Sequence, residues 1–250
     1  MSNFKIYYTL ITFVLVAMCL SPGAVHGLTD SRDVKDIGID EKLGDSVPGD
    51  IVLHGIGNKT ITVDKVLDGD KPVLLSLVYY SCPRVCNFAS DGVLQAVNGL
   101  YDLSLGNDFK IMTVSFNADD TPETASEKAH KYLNGLKKGR DVAENWLFLT
   151  GDDKNIRKLT SAAGFRYKKD GDEFAHASAL IILTPEGKIA RYLPGIQYDP
   201  VDLRLALIEA VGKKYALKAL NIIKASGVFT LFVLCGVLTY FWRRERNEPQ

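Results

Sequence analysis

The sequence predicts a mixed α/β sheet flanked by helices, thioredoxin-like in arrangement, followed by a C-terminal transmembrane helix. Three observations carry this. Val73 to Tyr80 is a continuous apolar and aromatic run, which reads as a strand buried on both faces. From Val85 onward, Phe88, Ala89, Val93, Ala96, Val97 and Leu100 recur at helical spacing,. Cys82 and Cys86 stand where that strand ends and the helix begins. A cysteine pair after the first long strand of a strand–helix alternation is the thioredoxin-like arrangement.

Lys5 precedes an apolar run from Ile6 to Leu20, and Ser21-Pro22-Gly23-Ala24-Val25-His26-Gly27 follows. Residues 1–27 therefore read as a secretory signal cleaved after Ala24 or Gly27, or as an uncleaved anchor. Bulky Met18 before Cys19 argues against lipidation of that cysteine. Residues 28–48 are polar and punctuated by Gly and Pro, the composition of a linker or of an irregular lead-in to the domain,. The predicted domain covers 49–216. Ile51 to Leu53 and Lys59 to Val63 flank Gly55 to Asn58, which predicts a hairpin. Asp68 to Pro72 is a turn into the central strand,.

After the first long helix, Leu105 to Asp108 is a stop and Phe109 to Phe116 a second strand. Strand, helix, strand within this length implies a parallel crossover. Thr121-Pro122-Glu123-Thr124 opens a helix running to about Lys138, with Pro in the first turn and Asp119 or Asp120 as a cap. Trp146 to Thr150 is a third strand. Asp152 or Asp153 caps a helix over Lys154 to Ala163, closed by Gly164,. His176 to Leu183 and Lys188 to Leu193 flank the turn Thr184-Pro185-Glu186-Gly187, which predicts an antiparallel pair. An amphipathic helix over Val201 to Tyr215 leads to Ala225–Trp242, which holds no charged residue. That length spans about 27 Å as a helix, close to a bilayer core. Arg243, Arg244 and Arg246 follow, so residues 243–250 are expected in the cytoplasm and the domain outside it, tethered to a bacterial inner membrane.

The 250 residues carry no net charge, with 30 basic and 30 acidic side chains. No clustered basic stretch lies inside the central region, which argues against nucleic acid as a partner. Of the four cysteines, Cys19 and Cys235 lie inside terminal apolar runs. A single close pair is not a disulfide-stapled scaffold.

Cys82 and Cys86 are four positions apart, one more than in the Cys-x-x-Cys dithiol motif,. On a helix they share a face one turn apart. There they can close a disulfide or hold a soft metal between two thiolates. Backbone N–H groups at a helix start favour thiolate, and so does the positive Arg84 between the cysteines. Pro83 suits a first helical position, with Cys82 near the N-cap. A shielded metal needs a further ligand, and His54, His130 and His176 are available. His54 beside a turn and His130 on a charged helix read as solvated side chains. His176 stands where a polar loop enters an apolar strand, a place where scaffolds display site residues, although a lone His there also suits a purely structural role.

Cys82-Pro83-Arg84-Val85-Cys86 after a Leu-Val-Tyr-Tyr strand, with His176-Ala177-Ser178 before Leu-Ile-Ile-Leu-Thr-Pro-Glu-Gly, resembles the Sco/SenC family over roughly Gly49 to Gly212. The resemblance implies a thioredoxin-like fold that binds copper through Cys82, Cys86 and His176. It also implies a role in assembling the dinuclear copper centre of cytochrome c oxidase. The partners it implies are the copper-bearing oxidase subunit and other copper or thiol carriers. Two thiolates and an imidazole suit Cu(I), and Cu(II) with an added ligand. Two departures stand out. Asn117-Ala118-Asp119-Asp120-Thr121 replaces the family's Asp-Pro-x-x-Asp-Thr, and the expected anchor is C-terminal rather than N-terminal. The competing reading is a thiol–disulfide oxidoreductase in which Cys82 attacks, Cys86 resolves and His176 is dispensable. A thiol peroxidase is disfavoured because Tyr79-Tyr80-Ser81, with no Thr, precedes Cys82. A structural zinc site wants four ligands.

Overall fold

The computed structural model describes residues 36–82, 86–137 and 144–212, together with Ser226 and Thr230. The signal or anchor reading of 1–27, the cytoplasmic tail 243–250 and nearly all of 225–242 lie outside the described residues. Among the described residues no helix is long and apolar enough to cross a membrane.

The central sheet has five strands in the order β10-β9-β4-β5-β6. Its middle strand β4, Val73–Val78, is buried at every position, as a continuous apolar run requires. It pairs in parallel with β5, Lys110–Ser115, from Val73↔Lys110 to Val78↔Ser115. β5 pairs in parallel with β6, Trp146–Leu149. On the other side β9, Ala179–Leu183, runs antiparallel to β4, and β10, Ile189–Pro194, runs antiparallel to β9. The predicted hairpin is β2, Val52–His54, against β3, Thr60–Thr62, turning through a 3-10 segment at Ile56–Asn58. A one-turn helix α1, Val63–Val66, follows it.

Parallel neighbours require crossover connections, and helices supply them. Between β4 and β5 runs α2, Cys86–Gly99, which buries Ala89, Val93 and Ala96 while Phe88 stays exposed. A Cβ on Gly92 would come within 2.0 Å of Ile196 O, so only glycine lets the 195–199 segment lie against α2. Between β5 and β6 runs α3, Pro122–Asn134. Its cap is neither Asp119 nor Asp120. Thr121 caps it, in a reciprocal pairing with Thr124, and this releases Asp120 for another role. α4, Asp153–Ala162, is capped by Asp152, which accepts from the Asn155 N–H at 2.7 Å. The closing helix α5 is described over 200–212.

Two expectations are corrected. Lys168 to Glu173 is not a loop leading into a strand that runs from His176 to Leu183. β7, Phe165–Asp170, and β8, Glu173–His176, form a hairpin around Gly171, and β9 begins only at Ala179. Residues 36–48 are not a free linker. β1, Gly38–Ile39, pairs with β7 to complete a second sheet, β1-β7-β8. Gly44 and Val47 donate backbone N–H bonds to Ile189 O and Gly187 O, both at 2.9 Å. Pairing through backbone atoms leaves no apolar period in the sequence, which is why this segment reads as linker. Gly164, at φ +64, faces Asp40 O at 1.9 Å from where a Cβ would sit, and this opens room for β1.

Candidate metal centre

Parallel pairing puts the ends of β4 and β5 side by side, and the loops that follow are tied together. The Tyr80 N–H donates to Asp120 Oδ2 at 2.6 Å, and Ser115 Oγ donates to the same oxygen at 2.5 Å. Asp120 is 6% exposed. Asn117 Nδ2 donates to Ser81 Oγ at 3.1 Å. The amide that replaces the expected acid therefore acts as a donor toward the loop carrying Cys82. Below the loop, the Tyr80 hydroxyl accepts from the Leu149 N–H at 3.0 Å and lies 2.9 Å from Thr113 O. Burial pushes the Tyr80 phenol well above its ordinary pKa, so it stays protonated.

Cys82 sits at the end of this loop, 7% exposed, with its N–H donating to Tyr79 O at 3.4 Å. α2 is described from Cys86 onward. The Cys86 side chain, and Pro83, Arg84 and Val85, lie outside the described residues. His176 is the last residue of β8. Its ring packs edge-on against Tyr79 at 5.8 Å and Phe116 at 5.0 Å between centroids. The imidazole therefore borders the residue three positions before Cys82. Among the described residues no three His, Cys, Asp or Glu side chains gather as a metal cluster.

The chemistry of His176 is set by its neighbours. Nδ1 lies 2.8 Å from Ala177 O. A carbonyl only accepts, so Nδ1 carries the proton and the lone pair resides on Nε2. This orienting hydrogen bond on the far nitrogen is the usual support of a metal-ligating His. Burial among aromatic rings holds the imidazole below its ordinary pKa of 6.5, partly offset by the Ala177 carbonyl. The ring is thus neutral at pH 7. His130 is exposed and pairs with Asn134 at 3.0 Å. His54 is half-buried rather than solvated, and its Nδ1 has no hydrogen-bond partner.

The SCO1/SenC family model matches residues 58–211. The chain belongs to the SCO1/SenC family. A candidate electron transfer protein of Aquifex aeolicus VF5 is 27% identical, with a TM-score of 0.61 over 68% of this chain and 95% of that one. Two Sco proteins share the fold. Arabidopsis thaliana ScoI, solved with copper bound, is 19% identical (TM-score 0.52, 67% of this chain and 99% of that one). BsSco, described as a member of the Sco family of cytochrome c oxidase assembly proteins, is 21% identical (TM-score 0.54, 69% and 97%). Nothing among curated proteins matches the chain significantly.

Sequence reasoning missed Asp120 and Ser115, because an acid before Thr-Pro reads as a helix cap. The available signal was topological: residues just past the end of β5 must lie beside those just past the end of β4. It also missed the aromatic wall, since Phe165, Tyr167 and Phe174 flank the Lys168–Glu173 stretch that reads as a polar loop rather than as the turn of a hairpin.

Two outcomes follow for the metal-free full chain. Asp120→Ala leaves the buried Tyr80 N–H unpaired and lowers unfolding free energy by about 1–3 kcal/mol. Hydrogen exchange should then quicken at Tyr80, and unchanged exchange there counts against the tie. For His176, the folded state takes up its proton at a lower pH than the unfolded state. Stability from this group is complete above 6.5 and falls as pH drops below it, where the unfolded chain binds the extra proton,. Urea unfolding across pH should show this fall, and His176→Gln should flatten it.

Proposed function

We propose that this chain is a membrane-tethered copper-binding protein that assists assembly of the dinuclear copper centre of cytochrome c oxidase, with copper as its cargo. Cys82 and Cys86 supply thiolates and His176 supplies Nε2. The observation that carries the reading is the placement of His176. Its ring borders Tyr79, next to the Cys82 loop, and its Nδ1 is occupied by Ala177 O.

The donor set fits the cargo. Thiolates and a neutral imidazole are soft to intermediate donors that favour Cu(I), and Cu(II) with a further ligand. A helix start close to the pair favours thiolate. Three protein donors leave a position through which an incoming ligand from an acceptor can enter, which suits handover rather than storage. The copper-bearing oxidase subunit is the proposed acceptor, and other copper or thiol carriers are the donors. In this reading residues 1–27 direct export, 49–216 form the copper domain and 225–242 anchor it. Residues 243–250 then lie in the cytoplasm of a bacterium, with the domain outside the inner membrane.

A second reading is thiol–disulfide exchange on partner cysteines, in which Cys82 attacks and Cys86 resolves. The two readings part at His176. Reduced full chain titrated with Cu(I) should bind about one ion, and Cys82→Ala or Cys86→Ala should abolish this. His176→Ala should weaken binding at least about tenfold, roughly 1.4 kcal/mol. Undiminished affinity in the His176 variant, with disulfide reduction intact, leaves only the redox reading.

A further inference from the structure

Helix α5 is apolar on two opposite sides. Leu203, Ala206, Leu207 and Ala210 are buried against the domain. At about 100° per residue, Val201, Leu205 and Ile208 fall on the far side, and they are 57%, 49% and 44% exposed. A surface helix ordinarily carries polar residues there. Tyr101, 77% exposed, extends the patch. The Arg204 guanidinium lies 5.4 Å from the centre of the Tyr101 ring and pairs with Asp102 at 2.6 Å.

The chain beyond 212 identifies what covers this face. Lys213 to Lys224 contains four lysines and no acid, and Gly212, Tyr215, Ala219 and Ile223 continue the apolar stripe at the same spacing. The uncharged run 225–242 begins directly after. At about 100° per residue the four lysines fall on the side opposite this stripe,, and an apolar face backed by a lysine-rich one is the pattern of a helix lying in a bilayer surface, whose headgroup region accepts Tyr and apolar side chains.

We propose that the outer face of α5, with Val201, Leu205, Ile208 and Tyr101, lies in the headgroup region of the bilayer that holds 225–242. This rests on the anchor reading above. The domain is then laid against the membrane along α5 rather than swinging freely on a tether.

Full chain carrying Leu205→Trp, placed in vesicles of phosphatidylethanolamine and phosphatidylglycerol, tests this. The signal of Trp146 and Trp242 is subtracted using the parent chain. Lipids brominated in the upper acyl chain should quench the added emission about twofold. They should leave the emission of Lys168→Trp, on exposed β7, unquenched. Unquenched emission from the Leu205→Trp chain overturns the proposal. A solvent-like spectrum would mean an open face, and a blue-shifted one a face covered by residues 213–224 or by a second copy. Alkaline carbonate washing of the same vesicles separates the causes. A released chain overturns the anchor reading and this inference together. A retained chain without quenching overturns the inference alone.

Discussion

The carboxylate of Asp120 is the fixed point of the site. One of its oxygens receives the Tyr80 N–H and the Ser115 hydroxyl, so it clamps the chain leaving β4 to the chain leaving β5. A buried carboxylate is costly unless its hydrogen bonds are made, and charged acceptors give the stronger bonds. The clamp is reachable only because the Val78↔Ser115 register ends both strands at the same level. Cys82 follows two residues later, so its backbone inherits that position.

The aromatic wall is the second constraint. Tyr79 follows β4, Phe116 follows β5, Phe165 and Tyr167 belong to β7, and Phe174 to β8. Their ring centroids lie 4.7–5.7 Å apart in the pairs joining Phe116 to Tyr167, Phe174 and Tyr79. Edge and tilted contacts of this kind add stability beyond area burial. They also fasten the small sheet to the large one. His176 is one more ring in this packing, so its orientation follows from burial as well as from its bond to Ala177 O. The same burial that positions the imidazole keeps it neutral.

How much of this could be read from the residues varies with the physics of each part. β4, β5 and β6 were legible because strands buried along nearly all their length are largely apolar runs. The hairpin of β7 and β8 was not. Lys168, Lys169 and Asp170 are exposed, and β1 contributes only backbone pairing at Gly38 and Ile39. The cysteine pair and His176 stand out in the sequence as candidate chemistry, and the structure packs the His176 ring against Tyr79, just past the end of β4. Asp120 was hidden by its neighbours. Thr121 and Thr124 satisfy the helix start between themselves, and nothing local shows that the acid turns inward.

The order of strands has a consequence for how the molecule is made. β4 meets β5 early in the chain, but its other edge waits for β9, which ends at Leu183. A polypeptide emerging amino-end first therefore exposes the central strand, buried at every position in the finished fold, along one side for most of its synthesis. Closure of such distant pairs is slow, and an open strand edge invites wrong partners. Through that interval Tyr79 and Phe116 lack the ring that will cover them, and both thiols are already present. Protection of those sulfurs from premature oxidation or stray metal thus falls to whatever escorts the nascent chain.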